Sequence, residues 1–159
     1  MKTLKFLFSL TVVIFSMPIM SAEVSWDTLK TLEYDLKTKK SVIKPALKSV
    51  LGKEVTMKGF MMPLDFESKE LVEFLFMPYV PSCMHVPPPS ANQLVLVKLK
   101  KGNKIKPSFY PIEITGKLSV EVSAELASSY KFEGTKVKEL KDYTPPAVTH
   151  PATAPGSQP

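Results

Sequence analysis

One short proline-rich segment holds the residues of this chain that could do chemistry. Residues 78–93, called the Pro loop below, read Pro-Tyr-Val-Pro-Ser-Cys-Met-His-Val-Pro-Pro-Pro-Ser-Ala-Asn-Gln and include the only cysteine and one of the two histidines. Prolines fix φ and lack a backbone donor, so the five in this segment predict a rigid loop that does not join a β-sheet. Metal or thiol chemistry is therefore expected here.

Cys83 and His85 are the candidate metal ligands. On an extended backbone, residues two apart project to the same face, with Cβ atoms about 6 to 7 Å apart. A thiolate and an imidazole at that spacing can share one metal ion, and zinc is the favoured metal. Because zinc takes three or four protein ligands, Asp65, Glu67 or a second subunit would have to complete the site.

The same cysteine and histidine allow other interpretations, which their spacing alone leaves open. Copper(I) prefers soft ligands, but Met84 faces away from its neighbours on an extended chain, so copper ranks below zinc. A thiolate beside an imidazole is also typical of a nucleophile in redox or acyl-transfer enzymes. A buried structural cysteine is the third interpretation. His150 lies in the C-terminal tail and is not expected to function.

The remaining Pro-loop residues are expected to shape the loop. Asn92 and Gln93 precede the next strand, so their amides should hydrogen-bond loop carbonyls, with a ligand contact by Asn92 as the alternative. Tyr79 is expected to line a groove or to pack in the core. The Pro87, Pro88 and Pro89 run is expected to hold the loop extended.

Composition bounds the class of protein. With 159 residues, 44% hydrophobic and 23% charged, the chain fits one globular domain and is too apolar to be wholly disordered. A single cysteine excludes an intrachain disulfide. The net charge is +6, but every basic residue is a lysine, so the planar fork with which arginine recognises phosphates and bases is absent. No nucleic-acid partner is expected.

The chain divides into three predicted parts. Residues 1–22 resemble a secretory signal peptide, with Lys2 and Lys5, an apolar run and the small pair Ser21-Ala22 before the expected cleavage; an uncleaved anchor is the alternative. Residues 23–142 form the domain. Residues 143–159, rich in proline, threonine and alanine, predict a disordered tail. A periplasmic or secreted protein without stable membrane insertion follows.

The domain is predicted to be mainly β with one or two short N-terminal helices. Helical spacing runs over residues 26–36 after the cap Ser25, and again from Lys44 to Leu51. Alternating strands follow, with a bulge expected at Gly59 and a kink at Gly116. The strand-like segments are residues 55–61, 71–77, 94–99, 112–122 and 132–140. Five short strands favour an OB-like barrel, with a β-sandwich as the alternative.

The Pro loop also resembles a family signature. Pro78-Tyr79, then Cys83-x-His85-x-Pro87-Pro88-Pro89, and finally Asn92-Gln93 are similar to the pattern of an uncharacterised bacterial family of exported or lipid-anchored proteins, a domain of unknown function. The likeness covers roughly residues 26–138, but Pro81-Ser82 replaces the small Gly-Ala pair usual before the cysteine. No lipidation cysteine is present, which implies a soluble periplasmic protein.

The resemblance implies a role beside ABC-type transporter components, some of them linked to zinc handling. The sequence therefore predicts a periplasmic accessory protein that binds a transition metal, or docks a transport partner, through the Cys83–His85 loop. A thiol-dependent enzyme and a peptide- or glycan-binding module are the two alternatives.

Overall fold

The computed structural model describes residues 21–35, 38, 40–81 and 87–142. Its elements are β1 (Ala22–Glu23), α1 (Trp26–Lys30), β2 (Glu33–Asp35), β3 (Lys40–Val42), α2 (Pro45–Val50), β4 (Glu54–Pro63), β5 (Glu73–Met77), a 3₁₀ helix (Ala91–Gln93), β6 (Val95–Leu99), β7 (Ile112–Ser123) and β8 (Ser128–Glu139). The expected signal segment up to residue 20 and the expected tail from residue 143 lie outside the described residues.

Strands β4 to β8 form a closed five-stranded ring. β4 pairs antiparallel with β5, β5 with β6, and β7 with both β8 and β4, whereas β6 and β8 are parallel. The ring closes because β4 is long enough to serve two neighbours: Glu54–Gly59 pairs with β7 and Phe60–Pro63 with β5. This order is that of an OB-like barrel, so the predicted fold is confirmed and the β-sandwich is not observed.

Alternation along the strands fills the barrel. In β4, Val55, Met57, Gly59 and Met61 are buried while their neighbours are less so, as the period of two predicts. In β5 the side chains of residues 74–77 are all buried, which fits the nearly continuous apolar run predicted there. The largest fully buried side chains are Tyr130, Phe74, Phe76 and Phe132.

Two glycines permit close strand approach, and only one is a bulge. Gly116 lies at a register shift between β7 and β8, which confirms the predicted kink. The bulge expected at Gly59 is wrong, because the register to β7 runs unbroken to this residue. A Cβ at Gly59 would lie 2.5 Å from the Met77 carbonyl oxygen and 2.8 Å from the Trp26 ring, so the glycine lets the chain change neighbours.

The N-terminal helices pack over the barrel. α1 begins at the predicted cap, where the Ser25 side chain accepts a hydrogen bond from the Thr28 amide. The prediction that this helix runs to residue 36 is wrong: Thr31 Oγ1 bonds back to the Thr28 carbonyl, and residues 33–35 form β2 against β3. α2 has Pro45 in its first turn and Gly52, with φ of 74°, just after its end, as predicted. No helix among the described residues is long and apolar enough to cross a membrane.

Candidate functional site

The Pro loop joins β5 to β6 at one end of the barrel. The structure describes its two limbs, residues 78–81 and 87–93. Cys83, Met84 and His85 lie between these limbs, outside the described residues. The two limbs flank the predicted ligands in the chain.

A hydrogen bond closes the base of the loop. The hydroxyl of the half-buried Tyr79 donates to the Pro87 carbonyl oxygen at 3.0 Å, joining positions eight residues apart. The contact defines a nine-residue ring, 79–87, that contains Cys83 and His85. Tyr79 therefore acts as a clamp at the neck of the loop. Its ring was predicted to line a groove or to pack in the core; the clamp role was not foreseen.

The second limb descends from the exposed prolines into the barrel. Pro87 and Pro88 are exposed, whereas Pro89 is buried. The Ser90 hydroxyl lies 2.6 Å from Asn92 Oδ1 and 3.1 Å from the Oε1 of the buried Gln93. These contacts form the 3₁₀ helix that turns the limb into β6.

Asn92 fixes this limb to α1. Its amide nitrogen donates to the carbonyl oxygens of Lys30 at 3.0 Å and Leu32 at 3.2 Å. The sequence predicted loop carbonyls as acceptors, but the acceptors are carbonyls at the C-terminal end of α1, which the helix itself leaves without donors. Asn92 is an anchor between two elements that are distant in the chain.

Tyr130 provides a second anchor under the same helix end. Its hydroxyl is buried and donates to the Leu29 carbonyl oxygen at 2.7 Å. Burial raises the pKa of this phenol well above its usual value, so it remains a neutral donor. This contact was not predicted, since nothing in a strand pattern indicates where a phenol finds its acceptor.

Trp26 closes the side of the barrel next to β5. Its indole nitrogen donates to the Lys58 carbonyl oxygen at 2.7 Å, and its ring lies 5.1 Å from that of Phe76 between centroids. Spacing predicted Trp26 as a helix core residue, and it does pack against the barrel core. Trp26 thus holds α1 against the barrel, and Asn92 hydrogen-bonds to the last residue of the same helix.

Asp65 and Glu67 lie at the opposite end of β5 from the Pro loop. They belong to the connection between β4 and β5, and β5 itself spans about 13 Å. Asp65 Oδ1 accepts the Glu67 amide at 2.9 Å, and this backbone hydrogen bond, with the Ser68 side chain, lowers the pKa of the carboxyl. The Asp65 carboxylate therefore stabilises its own turn by hydrogen bonding. Within the described ranges no three histidine, cysteine or carboxylate side chains form a metal-binding group.

Comparison with known proteins places the chain in a family. The family model described as "Protein of unknown function (DUF3299)" matches residues 18–139. The chain belongs to the DUF3299 family. This membership confirms the predicted relation to an uncharacterised family, at the level of the whole domain.

The DUF3299 chain is also similar to a solved structure. It matches the crystal structure of a DUF3299 family protein from Pseudomonas aeruginosa PAO1 with 26% sequence identity and a TM-score of 0.57. The match covers 78% of this chain and 99% of that one. Among curated proteins no sequence matches the chain. Function must therefore be argued from the Pro loop.

Proposed function

We propose that this DUF3299 protein is an exported accessory protein that binds a transition metal, zinc in preference to copper, through Cys83 and His85. The setting proposed is the periplasm, beside an ABC-type transport system that receives or supplies the metal. The observation that supports it is the clamped neck of the Pro loop, where the Tyr79 hydroxyl meets the Pro87 carbonyl oxygen at 3.0 Å.

The clamp favours ligand binding for an entropic reason. Joining residues 79 and 87 restricts the ring that contains the cysteine and the histidine before any ligand arrives. The prolines of the ring restrict it further, and the Asn92 anchor holds the second limb against α1. A preorganised pair of ligands loses less conformational entropy when it binds.

A second copy of the chain is proposed to complete the site. Zinc takes four ligands in structural sites, and Cys83 and His85 supply two. Asp65 and Glu67 are directed by the fold to the far end of β5, which disfavours their participation. Two copies of the pair would give a tetrahedral set of two cysteines and two histidines.

Elemental analysis tests the proposal. The protein is purified from the exported fraction without chelator or affinity metal, and its zinc, copper and free thiol are measured. About half an equivalent of zinc per chain with a protected thiol is expected. C83S and H85Q should lose the zinc and keep the fold, whereas H150Q, which removes the other histidine, should retain it. Full zinc in C83S would overturn the proposal.

Two further measurements separate the parts of the proposal. Sedimentation with and without chelator shows whether two chains share one zinc ion. Dimers that depend on zinc support the two-copy site. A zinc-loaded monomer contradicts the two-copy site but leaves Cys83 and His85 as ligands. Alkylation kinetics report on the alternative. A metal-free protein whose Cys83 alkylates faster than a free thiol between about pH 5 and 9 would favour thiol chemistry instead.

A further inference from the structure

Two loops at the end of the barrel opposite to the Pro loop expose aromatic side chains. Residues 64–72 join β4 to β5, and residues 100–111 join β6 to β7; together they are called the aromatic loop pair. Phe66 is 79% exposed, Phe109 97% and Tyr110 54%. Leu64 and Val72 add exposed apolar surface. None of these five belongs to the core cluster of the described residues.

The two loops run side by side. Leu71 and Ile105 exchange both backbone hydrogen bonds, at 2.7 and 3.1 Å, in an antiparallel bridge. Lys104 Nζ contacts the Glu70 carboxylate at 2.9 Å. A shallow groove continues between the loops, lined by Ser68, Lys69, Glu70, Lys106 and Pro107. Phe66 lies two residues before this lining in the chain and Phe109 two residues after it, so the antiparallel bridge places both on the same side of the Leu71–Ile105 pair.

The charge of the loop pair is positive. It carries five lysines against three carboxylates, a net charge of +2. Glu70 pairs with Lys104, whereas the hydrogen bond that Asp65 accepts from the Glu67 amide does not remove the charge of the Asp65 carboxylate. Lys69, Lys100 and Lys101 are exposed and form no ion pair with another described residue. The loop pair therefore keeps its net positive charge, and Lys69 and Lys106 are each three residues along the chain from Phe66 and Phe109, respectively.

We propose that the aromatic loop pair docks this protein on the surface of an anionic lipid bilayer. Phenylalanine rings without polar atoms fit the boundary between headgroups and acyl chains, and lysines behind them fit the phosphates. The groove is too shallow to enclose a small ligand, which favours a broad surface as the occupant. The docking is peripheral, through the side chains of these two loops.

This placement gives the barrel an orientation. β5 leads from the aromatic loop pair to the Pro loop, and β6 leads back. Docking through Phe66 and Phe109 would therefore hold the two described limbs of the Pro loop, residues 78–81 and 87–93, on the side away from the lipid. Lipid docking does not depend on metal binding, since the aromatic loop pair and the Pro loop lie at opposite ends of β5 and β6.

Vesicle sedimentation tests the docking. The full chain, as expressed and processed by its host, is mixed with vesicles of phosphatidylglycerol and phosphatidylethanolamine, or of phosphatidylcholine alone. Binding to the anionic vesicles is expected, and it should weaken as salt rises. The double variant F66S/F109S should bind about tenfold more weakly, because two apolar groups are lost. K100Q/K101Q should weaken binding to anionic vesicles only.

Controls make each outcome decisive. V42S/V122S removes exposed apolar side chains elsewhere and should bind like the unmodified chain; C83S should also bind normally. Equal binding by F66S/F109S, equal binding to both vesicle types, or no binding at all would overturn the proposal. A self-association that F66S/F109S abolishes, without vesicle binding, would assign the surface to a second copy instead.

Discussion

At the scale of single residues, two side chains make three hydrogen bonds at the end of α1. The Tyr130 hydroxyl and the Asn92 amide bond to carbonyls of residues 29, 30 and 32, in and just after the last turn of the helix. α1 has only five residues, so it would be marginal without such contacts. The helix is thus held by the barrel and the Pro loop more than by its own hydrogen bonds.

Removing the Tyr130 hydroxyl should destabilise the fold. Y130F removes one donor from the Leu29 carbonyl, which also accepts the Leu32 amide at 3.1 Å, so we expect a loss of about 0.5 to 1.5 kcal/mol in the free energy of unfolding. The control Y110F changes an exposed tyrosine and should have no measurable effect. Urea denaturation at neutral pH measures both. Equal stability of Y130F and the unmodified chain would show that the hydrogen bond contributes little.

The same phenol should make stability fall at alkaline pH. Burial raises the pKa of Tyr130 in the folded state above its ordinary value of 10.0, so the folded protein binds the proton more tightly than the unfolded chain. Its contribution is complete below the unfolded pKa and is lost as the pH rises toward the folded pKa. Between about pH 9 and 11 the unmodified chain should therefore lose more stability than Y130F. Parallel pH profiles of the two proteins would contradict this assignment.

Asn92 should couple stability to metal binding. N92A removes two hydrogen bonds to α1, so we expect a loss of about 1 to 2 kcal/mol in stability and a weaker zinc affinity. N103A is the matched control, because Asn103 makes a similar side-chain bond, to the Thr135 carbonyl at 2.6 Å, away from the Pro loop. It should lose stability only. Competition with a zinc-binding dye separates the two effects, and equal zinc affinity in both variants would rule out the coupling.

At the scale of elements, β4 decides the shape of the barrel. Its first half pairs with β7 and its second half with β5, and the change of neighbour occurs at Gly59 and Phe60. The space at Gly59 is taken by the Met77 carbonyl, the Trp26 ring and the Phe76 ring. A glycine is therefore needed for α1, β4 and β5 to meet.

A methyl group at this crossing should be costly. G59A places a Cβ 2.5 Å from a backbone oxygen, which must move, so we expect a loss of about 1 to 3 kcal/mol. G134A is the control: its only short contact, 2.7 Å, is with the flexible end of Leu99. Thermal unfolding should rank G59A below G134A. The reverse order would mean that the crossing relaxes more easily than the side-chain contact.

At the scale of the whole molecule, the predicted cleavage after Ala22 changes the contacts of the N-terminal residues with β4. Cleavage after Ala22 would remove the hydrogen bond of 2.6 Å between the Ser21 and Thr56 hydroxyls. Two contacts would remain. The Val24 amide donates a hydrogen bond to the Thr56 carbonyl oxygen at 2.9 Å, and the Glu23 carboxylate forms an ion pair with Lys58 at 3.0 Å. Thr56 also keeps its contact with the Thr115 hydroxyl. Cleavage would also remove Ala22, which pairs with Val55 as half of β1, but it leaves the five strands β4 to β8 intact, so the barrel is compatible with removal of residues 1–22.

Intact-mass analysis of the exported protein tests this processing. The expected N-terminal residue is Glu23, because small residues at the end of the leader permit cleavage. A22D places a charged residue at the expected cleavage point and should leave the precursor unprocessed. An exported protein that retains residues 1–22 would contradict the signal-peptide prediction and favour an anchor.

The sequence by itself determined the parts of this protein that depend on neighbours in the chain. Ser25 as a cap, Pro45 and Gly52 around α2, and the alternation of residues 55–61 were all predicted correctly. The OB-like barrel was also predicted, from five short strands. The nature of the site chemistry, Cys83 with His85, also comes from sequence alone and remains a prediction. Local steric and capping rules act within a few residues, so they can be recognised in a linear pattern.

Only the tertiary structure decided what holds the Pro loop and what faces solvent. The Asn92 anchor joins residues 62 apart, and the Tyr130 anchor joins residues 101 apart. The early end of α1 depends on β2 pairing with β3, which a helical spacing does not reveal. The exposure of Phe66 and Phe109 depends on which loops meet at the barrel end. Hydrogen-bond partners and burial are properties of distant segments brought together, so no local pattern specifies them.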